Sequence, residues 1–197
     1  MKKQIAFFDF DGTLTHKDSM FAIVKYVYGN GYFYWGMFLL LPTLIGFKLG
    51  LIDRQLTKEK YLHFFFAGMP VTTFQNYCDQ FSEKIIPKML RKEAYEKMKW
   101  HQQAGHEVVL VSASAENWLK PWCVSQDINC LASKLEIIQG NISGNLIGKN
   151  CHGDEKVSRI LQEYNLDNYK EIYAYGDSSG DKPMLAIANQ AFYQKFN

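Results

Sequence analysis

The sequence predicts an α/β fold: a parallel sheet with helices on both faces, interrupted by an all-helical insertion. Three observations carry this. The runs Gln4–Phe10, Val108–Val111 and Ile172–Tyr175 are apolar without alternation, as in strands covered on both faces. Helical patterns follow the second and third runs, giving a repeated β-then-α layout. The stretch from Lys17 to Lys99 contains no clear strand. At 197 residues the chain is one domain with an insertion, on about 100–200 residues per domain.

In chain order, Gln4–Phe10 reads as a buried strand that turns at Gly12-Thr13. Five helices are expected next: Ser19–Tyr28, Tyr32–Leu49, Asp53–Phe66, Val71–Glu83 and Lys88–Gln103. Asp53 suits an N-cap, and Pro70 suits the first turn of the helix that follows it. Gly105 breaks the chain before the second strand, and a helix runs from Ser114 or Ala115 to Val124. Gly140-Asn141 and Gly144-Asn145 flank short Ile-rich pieces between Leu135 and Leu146, a small hairpin. Asp154–Tyr164 is helical and Ile172–Tyr175 is the third strand. Pro183–Asn189 is a short helix, and Phe192-Tyr193 falls on a last strand.

Hydrophobic residues at 47% supply a core and exclude a disordered chain. A net charge of +2 makes no electrostatic case for a nucleic-acid partner. Cys78, Cys123, Cys130 and Cys151 contain no C-x-x-C pair, so neither a disulfide scaffold nor a zinc site is expected. Free thiols fit a reducing, cytoplasmic setting. Asp9 and Asp11 interrupt the N-terminal apolar run, so no signal peptide is expected.

Chemistry concentrates in four places. Asp9-Phe10-Asp11-Gly12-Thr13 puts two carboxylates at i and i+2, on one side of a strand end where open α/β sheets bind ligands. Such close like charges call for a cation, and an oxygen-only site suits magnesium. Ser112-Ala113-Ser114 offers a hydroxyl and backbone N–H groups to an oxyanion, although Ser is equally a good N-cap for the following helix. Lys156 stands in the first turn of a helix, against the dipole, which a compensating anion explains as well as solvation does. Asp177 and Asp181 follow the third strand and bring two more carboxylates to the same edge.

Together and in this order, Asp9–Thr13, Ser112, Lys156 and Asp177–Asp181 resemble the four motifs of the haloacid dehalogenase superfamily. The helical insertion is similar to that of its phosphoserine-phosphatase-like subgroup, subfamily IB. The resemblance implies a Rossmann-like core over residues 1–16 and 100–197 and a helical C1 cap over 17–99. It implies a Mg²⁺-dependent phosphomonoester hydrolase that works through an aspartyl phosphate. Asp9 is then the nucleophile and Asp11 the acid and base. Ser112, Lys156 and the Ala113 amide hold phosphate. Asp9, Asp11 through its carbonyl, Asp177 and Asp181 form the metal site.

Substrate choice falls to the inserted helices. No charge lies between Lys25 and Lys48, a stretch as long as the roughly 20 apolar residues that span a bilayer. Pro42 and Gly29, Gly31, Gly36 and Gly46 argue against a straight spanning helix, while the Tyr and Trp residues suit an interface. Three readings stay open: a hairpin buried in the cap, a membrane-surface contact through residues 26–47, and a full span. Asp18, Tyr32 and Trp35 are the cap candidates for substrate contact. The cap pattern is similar to that of phosphatidylglycerophosphatase C, which implies a lipid phosphate such as phosphatidylglycerophosphate. Phosphoserine phosphatase fits less well, since Asp18 stands where its cap supplies a Glu. A soluble metabolite phosphatase, and an inactive membrane-peripheral binding module, are the alternatives.

Overall fold

The computed structural model describes residues 3–196. Its strands are β1 (Lys3–Phe8), β2 (Glu107–Ala115), β3 (Asn129–Ile138), β4 (Asn141–Ile147), β5 (Tyr169–Gly176) and β6 (Gln190–Tyr193). They form one sheet of order β4-β3-β2-β1-β5-β6, parallel except for β4. On β1, Ala6 and Phe8 point into one core while Ile5 and Phe7 point into another. Both faces are covered, so the strand shows an apolar run instead of alternation.

Helices α1 (Ser19–Leu39), α2 (Leu41–Lys48), α3 (Arg54–Phe66), α4 (Val71–Lys84), α5 (Ile86–Met89) and α6 (Lys92–Gln103) all lie between β1 and β2. Then α7 (Glu116–Ser125), α8 (Asp154–Glu163) and α9 (Lys182–Ala186) accompany the later strands. The sheet with this helical insertion is the α/β architecture expected.

Several boundaries differ from the sequence reading, each for a local reason. The first strand stops at Phe8, and Asp9 to Thr13 form a turn. The break between the first two expected helices sits at Gly29 (φ 78°), a left-handed backbone that glycine adopts without strain. The expected helix Tyr32–Leu49 divides at Leu40, and Pro42 lies in the first turn of α2. The expected helix Lys88–Gln103 is interrupted at Leu90, whose extended backbone pairs with Thr15, while the Arg91 N–H donates to the Leu14 carbonyl (2.8 Å). The small hairpin is larger than expected. The first half of β3 runs parallel to β2, and only its second half turns back into β4. Asn129, Cys130 and Ser133 dilute the apolar signal of that edge.

Phe8 lies flat on Tyr175 (centroids 4.4 Å, 9°), which stacks on Phe192 (4.7 Å). This aromatic ladder ties β1, β5 and β6 together. Phe8→Ala is expected to cost about 3–5 kcal/mol through the cavity it leaves, read as a lower urea midpoint.

In the inserted segment, Phe33, Gly36 and Leu40 face inward, while Tyr34, Trp35, Phe38, Leu41 and Ile45 are exposed. The segment is therefore not wholly buried among the inserted helices. Among the described residues no helix is long and apolar enough to cross a membrane.

Candidate active site

The carboxyl ends of β1, β2 and β5 meet where the chain changes direction across the sheet, the usual ligand crevice of open α/β sheets. The Asp9 N–H donates to the Tyr175 carbonyl (2.9 Å), which fixes Asp9 beside β5. Gly12 has φ 91°, and a Cβ there would collide with the Asp177 carboxylate, so the turn needs glycine. Thr13 Oγ1 donates to Asp9 Oδ2 (3.1 Å) and lies 3.4 Å from Asp177 Oδ1.

Lys156 enters from the first turn of α8 and is buried. Its Nζ donates to Asp9 Oδ1 (2.6 Å), Asp181 Oδ1 (2.7 Å) and the Val111 carbonyl (2.7 Å). The anion anticipated from its unfavourable place in the helix is thus a pair of carboxylates. Solvation plays no part. Burial alone would lower the Lys156 pKa, but Asp9 and Asp181 outweigh it and raise it. Asp181 Oδ2 also accepts from the Ser178 N–H (2.9 Å) and Oγ (2.8 Å). Burial pushes Asp181 up, yet Lys156 and Ser178 hold it below its ordinary value. Burial raises Asp9 to about 6 against the pull of Lys156. Asp177 is raised by burial and by Asp181. Asp9, Asp177 and Asp181 each place a carboxylate oxygen within 4.8 Å of the others. A set of hard oxygen donors carrying surplus negative charge is chemically suited to Mg²⁺.

Asp11 does not join that cluster. The two carboxylates expected on one side of a strand diverge, because the backbone turns after Phe8. Asp11 accepts from the Ser19 N–H (2.6 Å), Ser19 Oγ (3.1 Å) and Ser114 Oγ (2.6 Å). Burial and then Asp18 raise it to about 7. Ser112 is buried, and its Oγ accepts the Ser114 N–H (3.0 Å). Ala113 offers its carbonyl to Lys58. Asp18 caps α1, accepting from the Met20 (2.9 Å) and Phe21 (3.2 Å) N–H groups. Tyr32 and Trp35 are exposed, stacked on Phe64 and Phe38 respectively.

Three polar groups escaped the sequence reading. Ser114, a candidate cap for α7, instead serves Asp11, and α7 starts from Ala115 without a side-chain cap. Ser19 gave no signal of its own. Lys58, in the charged run Lys58-Glu59-Lys60, gave no signal either, yet it is buried and donates to Asn150 Oδ1 (2.9 Å).

The haloacid dehalogenase-like hydrolase family model matches residues 6–186. The chain belongs to that family. It is 35% identical over 193 residues to protein CicA of Caulobacter vibrioides, covering 96% of this chain and 85% of that one. It is 26% identical to a histidinol-phosphatase of Neisseria meningitidis, covering 95% and 88%. A phosphoserine phosphohydrolase-like protein of Francisella tularensis shares the fold, with a TM-score of 0.67 at 19% identity over 98% and 86% of the two chains. The chain is a hydrolase of the phosphatase class.

Proposed function

We propose that the protein hydrolyses a phosphomonoester through an aspartyl phosphate on Asp9. The observation that carries this reading is the convergence of Asp9, Lys156, Asp177 and Asp181 at one sheet edge, beside Ser112 and Asp11. A carboxylate needs no base to act as a nucleophile. An Asp9 oxygen attacks phosphorus, and the bond to the leaving alcohol breaks. Asp11 gives that alcohol its proton. Asp11 then takes a proton from the water that attacks the phosphorus of the aspartyl phosphate, releasing inorganic phosphate and restoring Asp9. An acid held near 7 suits both transfers at neutral pH. Lys156 and Ser112, with the Ala113 N–H, steady the phosphoryl oxygens as charge builds.

Asp9, Asp177, Asp181 and the Asp11 carbonyl would hold Mg²⁺. When bound, the ion supplies positive charge against the phosphoryl oxygens. Mg²⁺ titration is expected to raise the thermal midpoint by the equivalent of about 2–3 kcal/mol at a hundredfold excess over Kd. Asp177→Asn is expected to remove most of that rise.

A lipid phosphate such as phosphatidylglycerophosphate is the finer reading. It is supported by the exposed face of Tyr34, Trp35, Phe38, Leu41 and Ile45, which would rest in an interface without spanning it. A soluble metabolite ester is the second reading, favoured by the histidinol-phosphatase relative. The test is phosphate release with Mg²⁺ from short- and long-chain phosphatidylglycerophosphate in micelles, set against soluble monoesters. A strong preference for the lipid is expected, and a preference for a soluble ester overturns the lipid reading while leaving the mechanism standing.

A further inference from the structure

Among the described residues two lysines are buried, and they are handled in opposite ways. Lys156 carries two carboxylates on its ammonium. Lys58 has none: among the described residues no carboxylate comes within ion-pair distance of it. Its Nζ donates to two neutral oxygens, the Ala113 carbonyl and Asn150 Oδ1 (2.9 Å). Asn150 is itself fixed, its Oδ1 by Ser133 Oγ (3.0 Å) and its N–H by Gln55 Oε1 (3.1 Å). Of the three donors of an ammonium, one is left without an acceptor among the described residues. Burying a cation against neutral partners is costly, and natural chains seldom retain one without an ionic partner.

Its position says what that partner is. Ala113 follows Ser112, so the ammonium stands one residue from the group assigned to phosphate. It is delivered by α3, from the helical insertion. Asp11, the proton donor to the leaving alcohol, is the largest of the negative charges felt there. Within α1 to α6, Lys58 is also the one buried Asp, Glu, Lys or Arg among the described residues.

We propose that Lys58 is a specificity-determining residue that takes a second anionic group, a carboxylate or a phosphodiester, on the alcohol side of the phosphomonoester. This rests on the phosphatase reading above. A soluble metabolite and a lipid headgroup can both carry that group. Two matched pairs separate them. Glycerol 3-phosphate and 3-phosphoglycerate share the ester and differ in a carboxylate. Short-chain phosphatidic acid and phosphatidylglycerophosphate differ in a phosphodiester.

Binding is measured by calorimetry in the Asp9→Asn background, where turnover does not interfere. The anion-bearing member of one pair is expected to bind about 10- to 100-fold tighter than its mate, the worth of one hydrogen bond to a charged group. Lys58→Met is expected to erase that preference, and Lys58→Arg to keep part of it. The pair that shows the preference names the source. Should the Met variant fail to fold, Lys58→Gln keeps a donor for Ala113 or Asn150 without the charge and is read in its place. Equal losses on both members of a pair would mean that Lys58 serves the phosphoryl group or the fold, and would overturn the proposal. So would the absence of any preference in both pairs. Wild-type phosphate release is scored separately. Absent turnover with an intact, Lys58-dependent preference sinks the phosphatase reading and leaves the anion site.

Discussion

Asp9→Asn is expected to lower kcat by on the order of 10⁴-fold or more without unfolding the protein. The amide has nearly the volume of the carboxylate, so the turn from Asp9 to Thr13 is not disturbed. Its one oxygen can still accept from Lys156 while its NH₂ donates to Thr13 Oγ1, but it cannot form the acyl phosphate. The stability effect has a definite sign. Folding raises the Asp9 pKa from 3.8 to about 6, so the folded state prefers the protonated form. Ionised Asp9 therefore costs stability, and the cost grows as pH rises from about 4 through 6. The neutral amide escapes this cost but gives up the charge facing Lys156. At pH 7 and without metal, the variant should melt at or above the wild-type temperature. Steady-state phosphate release and thermal melts of both proteins check this. Retained activity in Asp9→Asn sinks the nucleophile assignment. An inert wild type would instead favour the reading of a binding module.

The residues that are legible in sequence are those whose chemistry conflicts with their setting. Asp9, Asp177 and Asp181 stand at the ends of apolar strands, where charge has no packing role. Lys156 stands against a helix dipole. Each conflict is local, so a local reading finds it, and the sheet brings the four groups together. What escapes is long-range. Asp11 and Ser114 are separated by the whole helical insertion, and nothing near Ser114 distinguishes a donor to a distant carboxylate from a helix cap. Lys58 is missed for the same reason, since its burial depends on Ala113 and Asn150 far along the chain. The pairing of β3 with β2 is hidden because an edge half-strand needs few apolar residues. The helix breaks at Gly29 and Leu40 show how far local rules reach. The gap between the expected helices Ser19–Tyr28 and Tyr32–Leu49 contains Gly29, whereas Pro42 argues locally only against a straight spanning helix and the fold places it in the first turn of α2.

Lys156→Met is expected to combine a loss of kcat of about 10²–10³-fold with a loss of stability of about 3–5 kcal/mol at neutral pH. Methionine fills most of the lysine volume, so the packing of α8 against the sheet survives. What it leaves are two buried carboxylates, Asp9 and Asp181, facing each other without their cation. The pH dependence identifies this cause. In the wild type, Lys156 and Ser178 hold the Asp181 pKa below its unfolded value. That pairing adds stability above the unfolded pKa, near 4, and the gain is lost as pH falls through the folded value. In Lys156→Met the largest lowering influence on Asp181 is gone, and burial drives both carboxyls upward. The folded state then favours the protonated forms of both, so stability should fall more steeply from about pH 5 to 8 than in the wild type, where of the two only Asp9 is held above its unfolded value and its cost is nearly complete just above pH 6. Melting temperatures of both proteins across that range, without metal, give the test. A Lys156→Met protein whose melting follows the wild-type pH profile would show that the two carboxylates do not depend on this lysine. The cavity term of a simple packing defect would lower both ends of the profile equally. Asp181→Asn in the Lys156→Met background should recover part of the stability at pH 8 and little at pH 5. It removes one of the two unpaired charges only where that charge is present.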